Sequence, residues 1–155
     1  MLATTEQTFD ARLVDDMKTA MRARDEVRVN AIRFLRSAAK NRQIELGHPL
    51  TDAEMIDVIR KQLKQRQDAI EQFRAAGRQD LVDKEQGDLD VLQGYMPQQM
   101  DRAAVEAVAR EVIAEVGASG PADMRRVMPA LVARLQGQAE GRTISEVATA
   151  LLHKA

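Results

Sequence analysis

The chain has 155 residues, of which 45% are hydrophobic and 30% are charged, and its formal net charge is −1. This length and balance predict one ordinary globular domain or two small ones, and the near-neutral charge does not by itself demand a nucleic-acid partner. The absence of cysteine excludes disulfides and thiolate metal sites. It also fits a reducing cytoplasm, where we expect the protein, because no secretory signal or membrane span is visible.

Four helices are predicted in the first part of the chain, because apolar residues recur there with helical period and nowhere alternate like a strand. The predicted ranges are 8–23, 25–46, 51–76 and 79–93. Asp25 is the expected N-cap of the second helix, and Gly47 is expected to end it in the left-handed conformation. Thr51 and Glu54 have the spacing of a capping box, which predicts the start of the third helix.

The second helix is predicted to have a wide apolar face, and the third an apolar stripe. On the second helix, two neighbouring apolar stripes together predict a wide apolar face. One stripe consists of Val27, Ala31, Phe34 and Ala38, and the other consists of Ile32, Leu35 and Ala39. On the third helix, Arg66 falls on the same stripe as Ile59 and Ile70. A cation at that position predicts an interhelical or functional contact.

A break in the helical pattern at residues 94–97 predicts a domain boundary, which gives domains 1–94 and 95–155. Three shorter helices follow. The first runs from the N-cap Asp101 to Val116, the second follows Pro121, and the third is predicted to open at a capping box formed by Thr143 and Glu146. The predicted fold is therefore all-α, with a long-helix N-terminal domain followed by a compact three-helix domain.

The histidine and serine residues of this sequence do not have the spacing of a catalytic or metal-binding site. His48 and His153 have no second ligand at metal-binding spacing. The three serines, at positions 37, 119 and 145, are not in a nucleophile elbow, and no histidine is placed to activate them. We therefore predict no catalytic residue, no metal and no cofactor, and a protein that is not an enzyme by itself.

Basic residues are concentrated between positions 18 and 42 and again between 60 and 66. Helical spacing puts Arg33, Arg36 and Lys40 on one face, and a second cluster contains Arg60, Lys64 and Arg66. If the two helices pack as a hairpin, these rows could form one positive surface for phosphates. A mixed, salt-bridged exterior is the alternative, and an acidic protein is an alternative partner.

Aromatic residues are few: Phe9, Phe34, Phe73 and Tyr95. Proteins that read single-stranded bases use aromatic side chains as stacking platforms. Any nucleic acid bound here is therefore expected to be a folded shape that is recognised through phosphates and 2′-hydroxyls.

Three segments resemble the GatB/YqeY family in its standalone YqeY-like form. The longest runs from Lys64 (KQRQDAIEQFRAAGRQDLVDKE) and continues with LDVLQGYMPQQM to Met100. The second is IRFLRSAAKNRQIEL, from Ile32 to Leu46. The third comprises GASGPADMRRVM, from Gly117, and GQAEGR, which ends at Arg142. The resemblance covers essentially the full length and implies a two-domain, all-helical fold.

The resemblance also implies kinship with the tail domain of GatB, a subunit of the tRNA-dependent amidotransferase. That tail helps to hold tRNA near its elbow, and a similar module accompanies some glutaminyl-tRNA synthetases. Relatives often carry the label of a carbon–nitrogen ligase with glutamine as amido-N-donor. That chemistry belongs to the glutaminase subunit and to the catalytic part of GatB, neither of which is represented here.

On the positions that match the family, the resemblance implies a tRNA-binding role for Arg126, Arg134 and Arg142, together with Gly137 and Gly141. Arg126 and Arg134 are two turns apart on a helix, about 80° around it, so both can face one ligand. The sequence departs from the family at Gln136 and Gln138, where basic residues are common, and at Pro129, where glycine is frequent.

Three functions are therefore considered. The first is a non-catalytic tRNA-binding accessory protein, with tRNA and a translation-related protein as partners and with neither DNA nor a membrane expected. The second is a helical protein–protein interaction adaptor, which the wide apolar face of residues 27–39 favours. The third is a component of a glutamine-dependent amidotransferase, which only the family label supports.

Overall fold

The computed structural model describes residues 7–153, and within that range it contains seven α-helices and no strand. The helices are α1 (Phe9–Arg22), α2 (Glu26–Leu46), α3 (Asp52–Ala75), α4 (Gln79–Gln93), α5 (Arg102–Val116), α6 (Met124–Leu135) and α7 (Gly141–His153). A short 3-10 turn, Pro121–Asp123, precedes α6. The predicted all-α class is confirmed. Among the helices described, none combines the length and the apolar character needed to cross a membrane.

Local capping explains where the N-terminal helices begin and end. The Asp25 carboxylate accepts from the Arg28 N–H at 3.1 Å. Thr51 and Glu54 form the predicted capping box, with each backbone N–H donating to the other's side chain. The bond from the Thr51 N–H holds the pKa of Glu54 below its ordinary value. Gly47 ends α2 at a φ of 75°, a left-handed conformation that costs glycine little.

The predicted start of the last helix is wrong. Helix α7 begins at Gly141, two residues before the predicted capping box. The Ile144 N–H already donates to the Glu140 carbonyl at 3.0 Å, so Thr143 lies inside the first turn. The Glu146 carboxylate accepts from Arg142 and Arg102 rather than from a cap.

Contacts between residues divide the chain into two compact units. One unit ends at Tyr95 and the next begins at Met96, and they are called here the N-terminal unit and the C-terminal unit. Tyr95, assigned from the sequence to the C-terminal part, packs against α1 of the N-terminal unit. That each unit is a separately folding domain stays a prediction.

Aliphatic side chains on facing helices form the core of the N-terminal unit. Its most deeply buried residues are Leu13, Ile32, Leu35, Ile59 and Leu92. The predicted wide apolar face of α2 is only half correct, because Val27 and Phe34 are 50% and 57% exposed. Val27 leans over Gly87 of α4, where a Cβ would meet its Cγ1 at 3.2 Å, and the Phe34 ring faces the Arg66 guanidinium.

The C-terminal unit has a dry aliphatic core between its three helices. The residues fully enclosed there are Val105, Ala109, Val112, Val127, Leu131, Leu135, Val147, Ala148 and Leu152. Their spacing on each helix puts one apolar stripe inward and leaves the charged residues outside. The arginines of this unit are consequently held on its surface.

Tyr95 provides a direct spectroscopic test of packing in the N-terminal unit. Its side chain is 5% exposed, and its hydroxyl donates to Asp16 Oδ2 at 2.6 Å. Burial, reinforced by the Asp16 carboxylate, raises the pKa of Tyr95 from 10.0 to about 12. Because the protonated form is favoured in the folded state, its stabilising contribution is complete below pH 10.0 and is lost as the pH rises toward about 12.

We expect the tyrosinate absorbance of the native protein to appear with a midpoint of about 12, whereas the denatured chain should titrate near the ordinary value. Since the sequence has one tyrosine and no tryptophan, this absorbance reports Tyr95 alone. Asp16→Asn should move the native midpoint part of the way back. A native midpoint equal to that of the denatured chain would contradict the buried position.

Candidate nucleic-acid interface

Arg126 and Arg134 of α6 both reach the carboxyl-terminal end of α5. Arg126 donates to the Val116 carbonyl at 2.8 Å and to Asp123 Oδ1 at 2.7 Å. Arg134 donates to Glu115 Oε1 at 3.3 Å and also contacts the second oxygen of that carboxylate. The structure therefore brings these two guanidinium groups to the same end of one helix.

Arg142 lies at the other end of α5. It occupies the first turn of α7, its side chain is 87% exposed, and its Nε donates to Glu146 Oε1 at 3.1 Å. Arg102, the first residue of α5, donates to the second oxygen of Glu146 at 3.3 Å. Helix α5 separates this pair from Arg126 and Arg134 by roughly 20 Å, since a helix rises about 1.5 Å per residue.

Carboxylates orient these arginines without burying them. The hydrogen bonds to Glu115 raise the pKa of Arg134. Hydrogen bonds from the Ser119 N–H and from Arg126 lower the pKa of Asp123 to about 2. Exposed ion pairs of this kind contribute little to stability because water screens them. A phosphate that replaced the carboxylates as the partners of these arginines would therefore lose little free energy in breaking the existing ion pairs.

Arg125 is a surface cation that the sequence analysis did not select. It is exposed, and it forms no ion pair with any residue in the range 7–153. Two consecutive arginines on a helix point about 100° apart, so only one of the pair can turn toward α5. That geometry was available from the sequence, and it leaves Arg125 without the contacts that anchor Arg126 to Val116 and Asp123.

Gly137 and Gly141 delimit the connection between α6 and α7 and have different roles. Gln136 and Gly137 end α6 with φ values of 48° and 79°, so the second position favours glycine. A Cβ at Gly141 would meet no atom within 4 Å. Gly141 is therefore not required by packing, and the backbone at the start of α7 is open to a ligand.

Arg33, Arg36 and Lys40, three of the six cations in the predicted secondary basic surface, line a cavity in the N-terminal unit. Arg60 is half-buried and Lys64 is exposed, and both lie on α3 beyond the residues that line this cavity. The predicted surface is therefore divided rather than assembled around one ligand.

Arg66 does not belong to an exposed basic surface, which corrects the prediction that grouped it with Arg60 and Lys64. Its side chain is 13% exposed and lies 2.9 Å from Glu85 and 3.3 Å from Asp88 of α4. Its guanidinium carbon is 4.8 Å from the Phe34 ring centre. Burial raises the pKa of Asp88. The predicted interhelical contact of Arg66 is confirmed, and its charge is used within the fold.

Metal-ligating side chains are dispersed in the described part of the chain. Within residues 7–153, no group of three or more histidine, cysteine, aspartate or glutamate residues could hold a metal ion. His48 lies in the turn before α3, with its Nε2 atom 3.5 Å from Glu54. This turn is a capping structure rather than a ligand set.

The helical architecture and the surface arginines define a small all-α protein whose C-terminal unit carries ion-paired arginines at both ends of α5. A family model for Yqey-like proteins matches residues 10–152. The chain belongs to the Yqey-like protein family, which confirms the resemblance seen in its sequence.

Similar curated proteins carry the name "Altered inheritance of mitochondria protein 41, mitochondrial". The relative from Saccharomyces cerevisiae (strain ATCC 204508 / S288c) is 44% identical over 87 residues, which are 56% of this chain and 47% of the relative. That from Pyrenophora tritici-repentis is 41% identical over 93 residues, covering 60% and 51%. That from Lachancea thermotolerans is 33% identical over 114 residues, covering 72% and 61%.

The chain thus spans about half the length of the curated relatives that it matches most strongly. Their mitochondrial names contradict the cytoplasmic location predicted from the sequence. Absence of cysteine fits a reducing environment but does not identify a compartment, so it could not distinguish the two locations.

Proposed function

We propose that this protein is a non-catalytic accessory protein that binds tRNA through its C-terminal unit. One observation carries the proposal: exposed arginines stand at both ends of α5, with Arg126 and Arg134 at one end and Arg102 and Arg142 at the other, and exposed Arg125 lies next to Arg126 on α6. A ligand that engages both clusters must present phosphates roughly 20 Å apart. A folded RNA meets that requirement, whereas one nucleotide does not.

The chemistry of the surface favours a folded RNA over a single strand. Residues 96–155 contain no phenylalanine, tyrosine or tryptophan. Stacking of bases on aromatic rings, the usual source of affinity for single strands, is therefore not available to this unit. Arginines that engage phosphates, together with the open backbone at Gly141, suit recognition of shape. The family resemblance to the tail of GatB, which helps to hold tRNA near its elbow, also supports a tRNA partner.

The proposal assigns the amide-forming chemistry of the family label to other proteins. In an amidotransferase reaction, a chain of this kind would increase the local affinity for tRNA and leave the transfer of nitrogen to a partner. A binding role of this kind is consistent with the surface of the C-terminal unit, where arginines are paired with carboxylates.

Binding of fluorescently labelled tRNA, followed by anisotropy over a range of salt concentrations, tests the proposal. We expect saturable binding at low salt whose logarithm falls linearly with the logarithm of the salt concentration, with a slope of about −0.7 to −0.9 for each phosphate contacted. An unstructured RNA of equal length should bind more weakly. No saturable binding at low salt, or equal binding of both RNAs, would refute it.

The two glycines of the α6–α7 connection give a matched pair of variants. Gly141→Ala should leave the thermal stability unchanged or raise it by up to about 1 kcal/mol, because its surroundings are open. It should nevertheless weaken tRNA binding several-fold, because a methyl group would stand between a phosphate and the backbone N–H groups of α7.

Gly137→Ala should instead destabilise the protein by about 1 kcal/mol, because the φ of 79° disfavours a side chain. Thermal unfolding and tRNA anisotropy of both variants distinguish the two effects. Unchanged tRNA binding by Gly141→Ala would show that no phosphate approaches the start of α7.

The alternative function, a helical protein–protein interaction adaptor, has one supporting observation. Val27 and Phe34 are exposed and line the same groove between α2, α3 and α4. A typical stable interface uses roughly 20–30 residues on each side, so two exposed apolar side chains are weak support for an adaptor. A translation-related protein that bound native chain but not Phe34→Ser, with tRNA binding unaffected, would favour the adaptor.

A further inference from the structure

A cavity in the N-terminal unit lies where α1, α2 and the start of α3 meet. Its volume is about 1000 Å³. Its floor is apolar and includes Leu13 and Met55, both buried in the core, together with Leu50. The wall formed by α2 carries Arg33, Arg36 and Lys40. Small-molecule sites typically combine a similar volume, about 300–1,000 Å³, with an apolar lining and a few convergent polar groups.

The three cations of the wall face one volume because they follow helical spacing on α2. Arg33 and Lys40 form no ion pair with any residue in the described range, 7–153. Arg36 donates to Asp10 at 3.0 Å. That pair is exposed, so it contributes only about 0–1 kcal/mol, and an incoming anion can compete for Arg36.

Backbone groups add to the positive character of the cavity. The first turns of α1 and α3 both line it, through Thr8 to Asp10 and through Asp52. The N-terminal end of a helix carries a partial positive charge and free N–H groups. Asp10 and Asp52 offset part of this field, and the three side-chain cations outnumber them.

We propose that this cavity binds a small phosphorylated organic ligand. Its phosphate would lie against Arg33, Arg36 and Lys40, because planar guanidinium groups and an ammonium match phosphate oxygens. Its apolar or planar body would occupy the floor formed by Leu13, Leu50 and Met55. The site is separate from the arginines proposed to bind tRNA, which all lie in the C-terminal unit.

Calorimetric titration of the full chain with adenosine monophosphate, adenosine and inorganic pyrophosphate tests the proposal. The nucleotide serves as a probe that has both a phosphate and a planar body. We expect the nucleotide to bind saturably, adenosine to show no saturable binding, and pyrophosphate to bind more weakly than the nucleotide. Equal binding of nucleotide and nucleoside, equal binding of nucleotide and pyrophosphate, or no saturable binding of the nucleotide would overturn the proposal.

Three variants locate the site. Arg33→Gln with Lys40→Gln should weaken nucleotide binding about ten- to a hundredfold, because hydrogen bonds to charged groups are lost. Asp10→Asn should tighten it several-fold by releasing Arg36, an effect that a merely structural role would not produce. Lys61→Gln with Arg74→Gln, which removes the same charge from exposed positions of α3, should leave it unchanged.

Equal weakening by the Lys61 and Arg74 control, or no tightening with Asp10→Asn, would overturn the assignment of the cavity. Nucleotide binding to the cavity is measured without RNA, so it is independent of tRNA binding by the C-terminal unit. Replacing Arg125 and Arg142, which lie in the C-terminal unit, should affect tRNA binding and leave nucleotide binding unchanged. Failure of either proposal therefore leaves the other intact.

Discussion

Replacing Arg66 with methionine should destabilise the N-terminal unit by about 3 kcal/mol, the largest effect on stability expected from a single charged residue in this chain. The side chains of Arg66, Glu85 and Asp88 are only 13%, 16% and 13% exposed. Removing the cation leaves two largely buried carboxylates without a partner, and burial already raises the pKa of Asp88. Urea unfolding followed by circular dichroism measures the loss.

Two controls separate the buried cluster from an ordinary ion pair. Arg78→Met breaks the ion pair with Asp80, in which both side chains are exposed, and should cost much less stability than Arg66→Met. Adding Glu85→Gln and Asp88→Asn to Arg66→Met removes the unpaired charges and should restore most of the stability. An Arg66→Met variant no less stable than Arg78→Met would contradict this interpretation.

The loss in Arg66→Met should also depend on pH. Burial and Glu85 raise the pKa of Asp88, whereas Arg66 opposes the increase. Without Arg66, the folded-state pKa of Asp88 should rise further above its value in the unfolded chain. Stability is then present while Asp88 is protonated and is lost as the pH rises through the folded-state pKa. The deficit should therefore shrink as the solution is acidified.

Replacing Arg125, Arg134 and Arg142 together with glutamine should weaken tRNA binding about ten- to a hundredfold or more at low salt, because three phosphate contacts are lost. The slope of the logarithm of the binding constant against the logarithm of salt should decrease by about 2–3. Arg126 is left in place because its hydrogen bonds to the Val116 carbonyl and to Asp123 hold the turn before α6.

A triple variant of Arg22, Lys61 and Arg74 to glutamine removes the same charge from exposed positions of the N-terminal unit. It should retain nearly wild-type tRNA affinity. A complementary change, Glu115→Gln, should increase the affinity by freeing Arg134 from its carboxylate partner. Equal losses in both triple variants would show that binding follows net charge alone and not the arginines of the C-terminal unit.

Helix positions were largely predictable because their signals are local. The caps at Asp25 and Thr51 and the stop at Gly47 depend on residues within one turn, and the structure confirms all three. The capping box at Thr143 was wrong because Glu146 has two arginine partners nearby, one of which is 44 residues away in sequence. Tertiary contacts of that range do not follow from local spacing.

Periodicity predicts that a face is apolar but not which neighbour covers it. The stripe containing Val27 and Phe34 had the same helical spacing as the stripe containing Ile32 and Leu35, yet Val27 and Phe34 are exposed whereas Ile32 and Leu35 are in the core. The position of Arg66 on an apolar stripe was the more informative signal, because a cation there required carboxylate partners within the fold.

The candidate interface was predictable only in part for the same reason. Spacing on one helix indicated that Arg126 and Arg134 face one side, and the structure places both at one end of α5. Arg142 lies on another helix, so its separation from them required the tertiary fold. The cavity between α1, α2 and α3 was not predictable, because residues far apart in sequence meet there.

Amide hydrogen exchange of the full chain, measured at low salt with and without saturating tRNA, shows which unit contacts the RNA. If the C-terminal unit holds tRNA, exchange should slow at residues 136–143 and in the first turn of α6, where exposed arginines and open backbone coincide. Unchanged exchange in those segments at saturation, or protection confined to the N-terminal unit, would contradict the account.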